Sequence, residues 1–313
     1  MTSDLKTKLS RFLGRNALFV ARWLISRLPY SVFKFFLSCF IIVGRPLLMN
    51  KKGLVMENLH IAFSGEKSEQ EIKKIAEDYF KNFGLGMIEL IYFIDRPGEV
   101  FKKVSIQGKD NLDKVLSQGK GAILLSAHMG NFILMYLRMA MEGYKTNCIM
   151  RRVRDSQFEE YISKFRDENG IQTIYSLPPR QCVVKSLKCL RDNQILFIML
   201  DQNYGDDGRV FVDFFGKPAA TATGPVVFSQ RSQAPILPVF IVRDGIDGYK
   251  IMIDPPVELE TVSPQEAEQG AQQVLVRNVS LLTKVIQKYI CLYPQEWGGW
   301  MHRRWKSKRT AGE

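Results

Sequence analysis

The chain has 313 residues, 46% of them hydrophobic, and carries 44 Lys and Arg against 32 Asp and Glu for a net charge of +12. This length and composition exclude a disordered segment and a multi-span membrane protein, and allow one large domain or two small ones. The charge is uneven: residues 1–52 hold ten Lys/Arg and one acid, Asp4 (+9), and residues 301–313 hold five and one, Glu313 (+4). A body at −1 between basic ends suits an anionic membrane surface or nucleic acid. Cys39, Cys148, Cys182, Cys189 and Cys291 are scattered and odd in number, without a Cys-x-x-Cys pair. That argues for reduced thiols in a reducing compartment rather than a disulfide or zinc framework.

Lys6, Lys8, Arg11 and Arg15 recur at helical spacing among Leu5, Leu9, Phe12 and Leu13. A strongly apolar stretch then runs from Ala17 to Met49, interrupted by Arg22, Arg27, Lys34 and Arg45 and divided by Pro29. Its longest uncharged run, Phe35 to Gly44, is too short for a hydrocarbon core that needs about 20 residues. Aromatics interleaved with cations predict an interfacial helix, or a short tilted anchor, on the cytoplasmic side of a membrane. The alternative is a basic helix packed on the protein's own body. So many large apolar side chains favour the membrane. They also disfavour nucleic acid, whose contacts need cations free of apolar neighbours.

Residues 68–94 read as a helix, with Ser68 and Glu71 at capping-box spacing and Ile72, Ile75, Ala76, Tyr79, Phe80, Phe83 and Leu90 as the buried stripe. Glu89, among Met87, Ile88, Leu90 and Ile91, is either surface-exposed or buried with a partner. From Val104 short apolar runs alternate with amphipathic stretches. The strands are Val104–Ile106, Ala122–Leu125, Asn147–Met150, Ile171–Tyr175, Ile195–Leu200 and Ile236–Val242; helices fall at 109–117, 131–142, 155–168 and 180–191. Lys250–Ile253 reads as an edge strand, and a last helix begins near Ser263-Pro264 and carries Val274 to Tyr289. The alternation predicts an α/β fold: one layered domain over 53–313 with a mostly parallel central sheet flanked by helices, preceded by a membrane-associated helical segment over 1–52.

Chemistry gathers at strand ends. Ser126-Ala127-His128-Met129-Gly130-Asn131-Phe132 takes a buried strand through a histidine and a Gly-Asn turn into a helix. That setting suits a base at the mouth of an α/β sheet, and equally a turn histidine. Arg151-Arg152-Val153-Arg154 follows the next strand as an anion site or a solvated cluster, and Arg166 and Arg180 suggest a shared positive rim. Asp201-Gln202-Asn203 closes another buried strand; Asp201 there orients a histidine, pairs with an arginine, or caps the next turn. Phe211 to Ala219 is dense in aromatics, with Phe214 and Phe215 either core or the apolar wall of a site for a long hydrocarbon ligand.

Taken together, these pieces resemble the late acyltransferases of lipid A biosynthesis, from about Arg45 to Lys306. The matching residues are Asn58-Leu59; Ser126 to Phe132; Arg151; Asp201-Gln202; Phe211-Val212-x-Phe214-Phe215-Gly216-x-Pro218-Ala219-x-Thr221; Pro235-x-x-Pro238; and Trp300-x-His302-Arg303-Arg304-Trp305-Lys306. The resemblance implies an enzyme on the cytoplasmic face of the inner membrane. It would move a fatty acyl chain from acyl carrier protein to a hydroxyl of a lipid A precursor or related glycolipid, with no metal or organic cofactor and no nucleic acid. His128 would be the general base. Backbone N–H groups near Gly130-Asn131, or Arg151, would steady the oxyanion. Gly130, Asn131, Arg152, Arg166, Phe214 and Phe215 would contact substrates, and His302 is not assigned to catalysis.

Two positions depart from the family pattern. Five residues after His128, where the family has an Asp or Glu that orients the imidazole, this chain has Ile133; Arg209 stands where glycine is expected. Loss of such an orienting charge costs roughly 10⁴-fold in turnover in a comparable triad. Either another acid substitutes, Asp201 or Glu89, or His128 works slowly alone, or the chain is a silent lipid-binding relative.

Overall fold

The seven apolar runs form one sheet. The computed structural model describes residues 14, 16, 19–30, 32, 33, 35, 50–153, 155–205, 208–261 and 268–307. Its strands are β1 (Val104–Gln107), β2 (Ala122–Ser126), β3 (Thr146–Met150), β4 (Ile171–Tyr175), β5 (Ile195–Met199), β8 (Ile236–Asp244) and β9 (Gly248–Ile253), in the order β1-β9-β8-β2-β5-β3-β4. Pairing is parallel throughout except between β8 and β9. β9 therefore lies between β8 and β1 and is not the expected edge strand; the edges are β1 and β4. A separate hairpin, β6 (Arg209–Phe214) and β7 (Lys217–Ala222), turns through Phe215 and Gly216, both at positive φ. This hairpin was not expected, because its aromatics do not alternate cleanly with polar residues.

Helices cover both faces of the sheet, which explains why its strands read as continuous apolar runs. Ile123 and Leu125 of β2 point into one core, and Ala122 and Leu124 into the other. The first core is closed by α1 (Lys52–Phe63), α2 (Glu69–Phe93), α7 (Pro179–Arg191), α8 (Gly224–Ser232) and α9 (Glu268–Leu292). The second is closed by α3 (Pro97–Lys103), α4 (Lys109–Leu116) and α5 (Phe132–Met141), while α6 (Ser156–Glu168) lies beside β4. The expected capping box forms at α2: Ser68 Oγ accepts from Glu71 N–H, and the Glu71 carboxylate accepts from Ser68 N–H at 2.8 Å.

Near the N-terminus, Ile25 and Phe33 are buried, Phe33 stacks on Tyr92 at 4.3 Å, and Arg22 pairs with Asp95. Val20, Trp23, Leu24 and Phe35 face outward. Among the described residues no helix is long and apolar enough to cross a membrane. Residues 36–49, Arg154 and the start of the last helix at 263–264 lie outside the described residues.

Candidate active site

β2 and β5 are parallel neighbours with Ser126 opposite Met199, so the residues two places beyond each strand emerge side by side. They are His128 and Asp201. Asp201 Oδ1 accepts from His128 Nδ1 at 2.8 Å; Oδ2 accepts from the His128 backbone N–H at 3.1 Å and from Trp297 Nε1 at 2.8 Å. Asp201 is 1% exposed. Burial works against its ionisation, but the charge of His128 and these three hydrogen bonds outweigh it and hold the carboxyl at about 2. For His128, burial disfavours the cation, while Asp201's charge and hydrogen bond win and raise its pKa above the usual 6.5. With Nδ1 donating to Asp201, Nε2 of the neutral ring carries the lone pair, the state a general base needs.

The turn that presents His128 depends on Gly130. Its φ is +49°, and a Cβ there would sit 2.5 Å from the Ile241 carbonyl oxygen. A C-terminal strap holds the same turn: Gly130 N–H donates to Glu296 O at 2.9 Å, Gly298 N–H donates to His128 O at 2.6 Å, and Met129 bridges to Trp297.

A cavity of about 300 Å³ opens beside the imidazole. Tyr79, Asn82, Phe83, Gly86, Met87 and Leu90 of α2 form one wall, at the three- and four-residue spacings of a single helix face. Phe132, Ile133 and Met301 add apolar surface; Asn131, Tyr249, Glu296 and His302 add polar groups. Asn131 donates to Gly86 O at 2.9 Å. Glu296 accepts from Asn82 at 2.7 Å, and its burial, countered by Arg243 and Asn82, pushes its carboxyl up to about 7. An apolar chamber whose wall carries a carboxylate-backed imidazole can hold a hydrocarbon chain with its reactive end at a base. Among the described residues, no three His, Cys, Asp or Glu side chains converge as metal ligands.

Residues 6–307 match a family model described as bacterial lipid A biosynthesis acyltransferase. The chain belongs to this family. It is an O-acyltransferase. It is 26% identical over 299 residues to the lipid A biosynthesis palmitoleoyltransferase of Escherichia coli (strain K12), covering 93% of this chain and 90% of that protein. It is also 26% identical to the lauroyltransferase of the same organism over 295 residues, 91% of this chain and 89% of the relative. A phosphatidylinositol mannoside acyltransferase of Mycobacterium tuberculosis (strain ATCC 25618 / H37Rv) is 22% identical over 179 residues, 56% of this chain and 55% of that protein.

Within the acyltransferase, several residues are not where the sequence reading put them. Glu89, a candidate partner for His128, instead takes Arg243 Nη2 at 2.6 Å and the Tyr249 hydroxyl at 2.5 Å, while His128 takes Asp201. Arg166 is 5% exposed and engaged with Glu159, Met150 and Thr173, so it belongs to no open rim. Phe214 is fully buried against Trp297 and Trp305, and Phe215 packs on Phe63 and Trp300, so both lie in the core rather than in the cavity wall. Arg151 follows β3, which β5 separates from β2, and it is not a cavity residue; Arg152 lies over the Tyr175 ring beside a different depression of about 550 Å³. Gly130's N–H is taken by Glu296, which removes it as an oxyanion donor.

Sequence reasoning missed Glu296 and the hydrogen bond of Trp297 to Asp201, and it set His302 aside from catalysis. His302 lies with its ring 6.4 Å from that of His128. His302 stands in the matched stretch Trp300 to Lys306, whereas Glu296 and Trp297 have only their place just before it.

Proposed function

We propose that the protein transfers a fatty acyl chain from an acyl carrier protein thioester to a hydroxyl of a lipid A precursor or related glycolipid, at the cytoplasmic face of the inner membrane. The observation that carries this reading is the His128–Asp201 pair on the wall of the apolar cavity. His128 Nε2 takes the acceptor hydroxyl's proton as its oxygen attacks the thioester carbonyl, Asp201 stabilises the imidazolium, and the thiolate then leaves with that proton. Lipid A and glycolipid acceptors are those named for the relatives. Asp201 supports an active enzyme over a silent relative, because it supplies the orienting carboxylate from β5 that Ile133 lacks.

Outward-facing Val20, Trp23, Leu24 and Phe35, with Arg27 stacked over Trp23 at 3.9 Å, support interfacial attachment to an anionic membrane. The test is transfer of labelled acyl chain from acyl carrier protein to lipid A precursor by purified protein in detergent. Transfer by the wild type and its loss in His128→Ala are expected; equal transfer by the two defeats the mechanism.

A further inference from the structure

Attack on a carbonyl is helped by a donor to the oxygen that becomes negative, and one such donor is worth about 10²–10³-fold in kcat. Around His128 three of the backbone donors are already taken. The backbone N–H of His128 goes to Asp201, that of Met129 to Ala127 O, and that of Gly130 to Glu296 O.

Gln202 sits next to Asp201, at the end of β5. Its Nε2 is 3.4 Å from His128 Nδ1 and 3.4 Å from His128 Nε2. An atom equidistant from both ring nitrogens at that range cannot lie in the ring plane, where it would collide with Cε1 or the opposite ring carbons. The amide therefore rests on the face of the imidazole and leaves the in-plane lone pair of Nε2 open to the attacking hydroxyl. The same Nε2 lies 3.5 Å from His302 Nε2. Burial, His128 and Lys51 lower the His302 pKa against the pull of Asp201, so its ring stays neutral; with its hydrogen on Nδ1, Nε2 accepts one amide hydrogen and leaves the second for a ligand. The backbone beneath is fixed: the Gln202 carbonyl accepts from Arg304 Nη1 at 3.2 Å, and Arg304, 1% exposed, is anchored on Ala220 O and Thr221 Oγ1.

We propose that the side-chain amide of Gln202 is the oxyanion donor of the transfer, with His302 as the residue that positions it. This rests on the acyl-transfer reading above. The acceptor oxygen bonds to the thioester carbon as its proton moves to His128 Nε2. The carbonyl π pair moves onto oxygen, where a Gln202 N–H meets it. Collapse re-forms the carbonyl, breaks the C–S bond, and the thiolate takes the proton from His128.

The test measures kcat, KM and pH profile for acyl carrier protein thioester and lipid A precursor, with full-length protein in detergent. It adds the affinity of an unreactive long-chain trifluoromethyl ketone, whose hydrate mimics the tetrahedral state. Gln202→Met keeps the shape and removes the donor; it is expected to lower kcat about 10²–10³-fold, with KM and the acidic limb unchanged. Inhibitor affinity should fall by a similar factor. His302→Ala is expected to cause a smaller loss of kcat, partly restored in His302→Gln, which still accepts. A Gln202→Met enzyme as active as an active wild type overturns the proposal alone. So does a loss that appears as a shifted pH limb with inhibitor binding intact, the mark of a disturbed His128. A wild type that transfers nothing defeats the acyl-transfer reading as well.

Discussion

Asp201→Asn isolates the carboxylate's contribution with almost no change in volume. Its two oxygens have distinct tasks: Oδ1 accepts from His128 Nδ1, and Oδ2 accepts from two N–H groups, of His128 and Trp297. Asparagine has one acceptor oxygen and one NH₂ group. If its oxygen serves the two N–H groups, its NH₂ faces Nδ1 and drives the imidazole into the tautomer with hydrogen on Nε2, which is no longer a base. If it faces Nδ1, two buried N–H groups meet an NH₂. The drop from the ordinary 3.8 to about 2 corresponds to about 2 kcal/mol of preference for the ionised group. The catalytic loss is larger, because the wrong tautomer removes the base: kcat is expected to fall about 10³–10⁴-fold.

The assay is steady-state transfer between pH 5 and 9. Wild-type kcat/KM should rise through an acidic limb above 6.5, since His128 must lose its proton and Asp201 raises its pKa. Residual variant activity should show that limb at lower pH. In stability, the ionised Asp201 contributes above 3.8, and that contribution disappears as pH falls towards about 2, so the variant's deficit in melting temperature should shrink in acid. A variant within tenfold of wild type with an unmoved limb would refute the assignment.

Gly130→Ala forces Cβ against the Ile241 carbonyl at a positive φ and should cost more than about 1 kcal/mol of stability, read as a lower melting temperature with reduced activity. Trp297→Phe keeps an aromatic ring but removes one hydrogen bond to Asp201 and leaves a void where the indole was buried, for a loss of more than about 1–2 kcal/mol by chemical denaturation and an upward shift of the Asp201 carboxyl, measurable by NMR. Glu89→Gln leaves Arg243 charged, buried and without its anion, at a cost of about 3–5 kcal/mol. Enzyme that remains folded should keep the wild-type pH profile, in contrast to Asp201→Asn.

Much of this protein was legible from local pattern. Runs such as Ala122–Leu125 and Ile195–Leu200 are apolar on both faces because helices cover both sides of the sheet, and β-branched and leucine-rich segments of that length announce buried parallel strands. The Ser68–Glu71 cap and the helical face of α2 follow from contacts three and four residues apart. His128 stood out for the same reason, at the end of one such strand.

Pairings between distant segments were beyond that reach. Asp201 or Glu89 as the partner of His128 was undecidable from spacing, because a carboxylate at a strand end and one within an apolar helix stretch are each compatible with several partners. Strand order settled it: β5 lies beside β2 in register, whereas α2 hands Glu89 to Arg243 of β8. The hairpin β6–β7, the interior place of β9 and the burial of Arg166 and Phe214 likewise depend on contacts across the fold. The strap from Trp297 to His302 reaches His128 only because α9 returns the chain to the C-terminal edge of the sheet. The sequence by itself determined the seven strands of the sheet and singled out His128 at the end of one of them. Only the tertiary structure decided which carboxylate, which cavity and which amide surround it, since those groups are brought together by sheet order rather than by proximity along the chain.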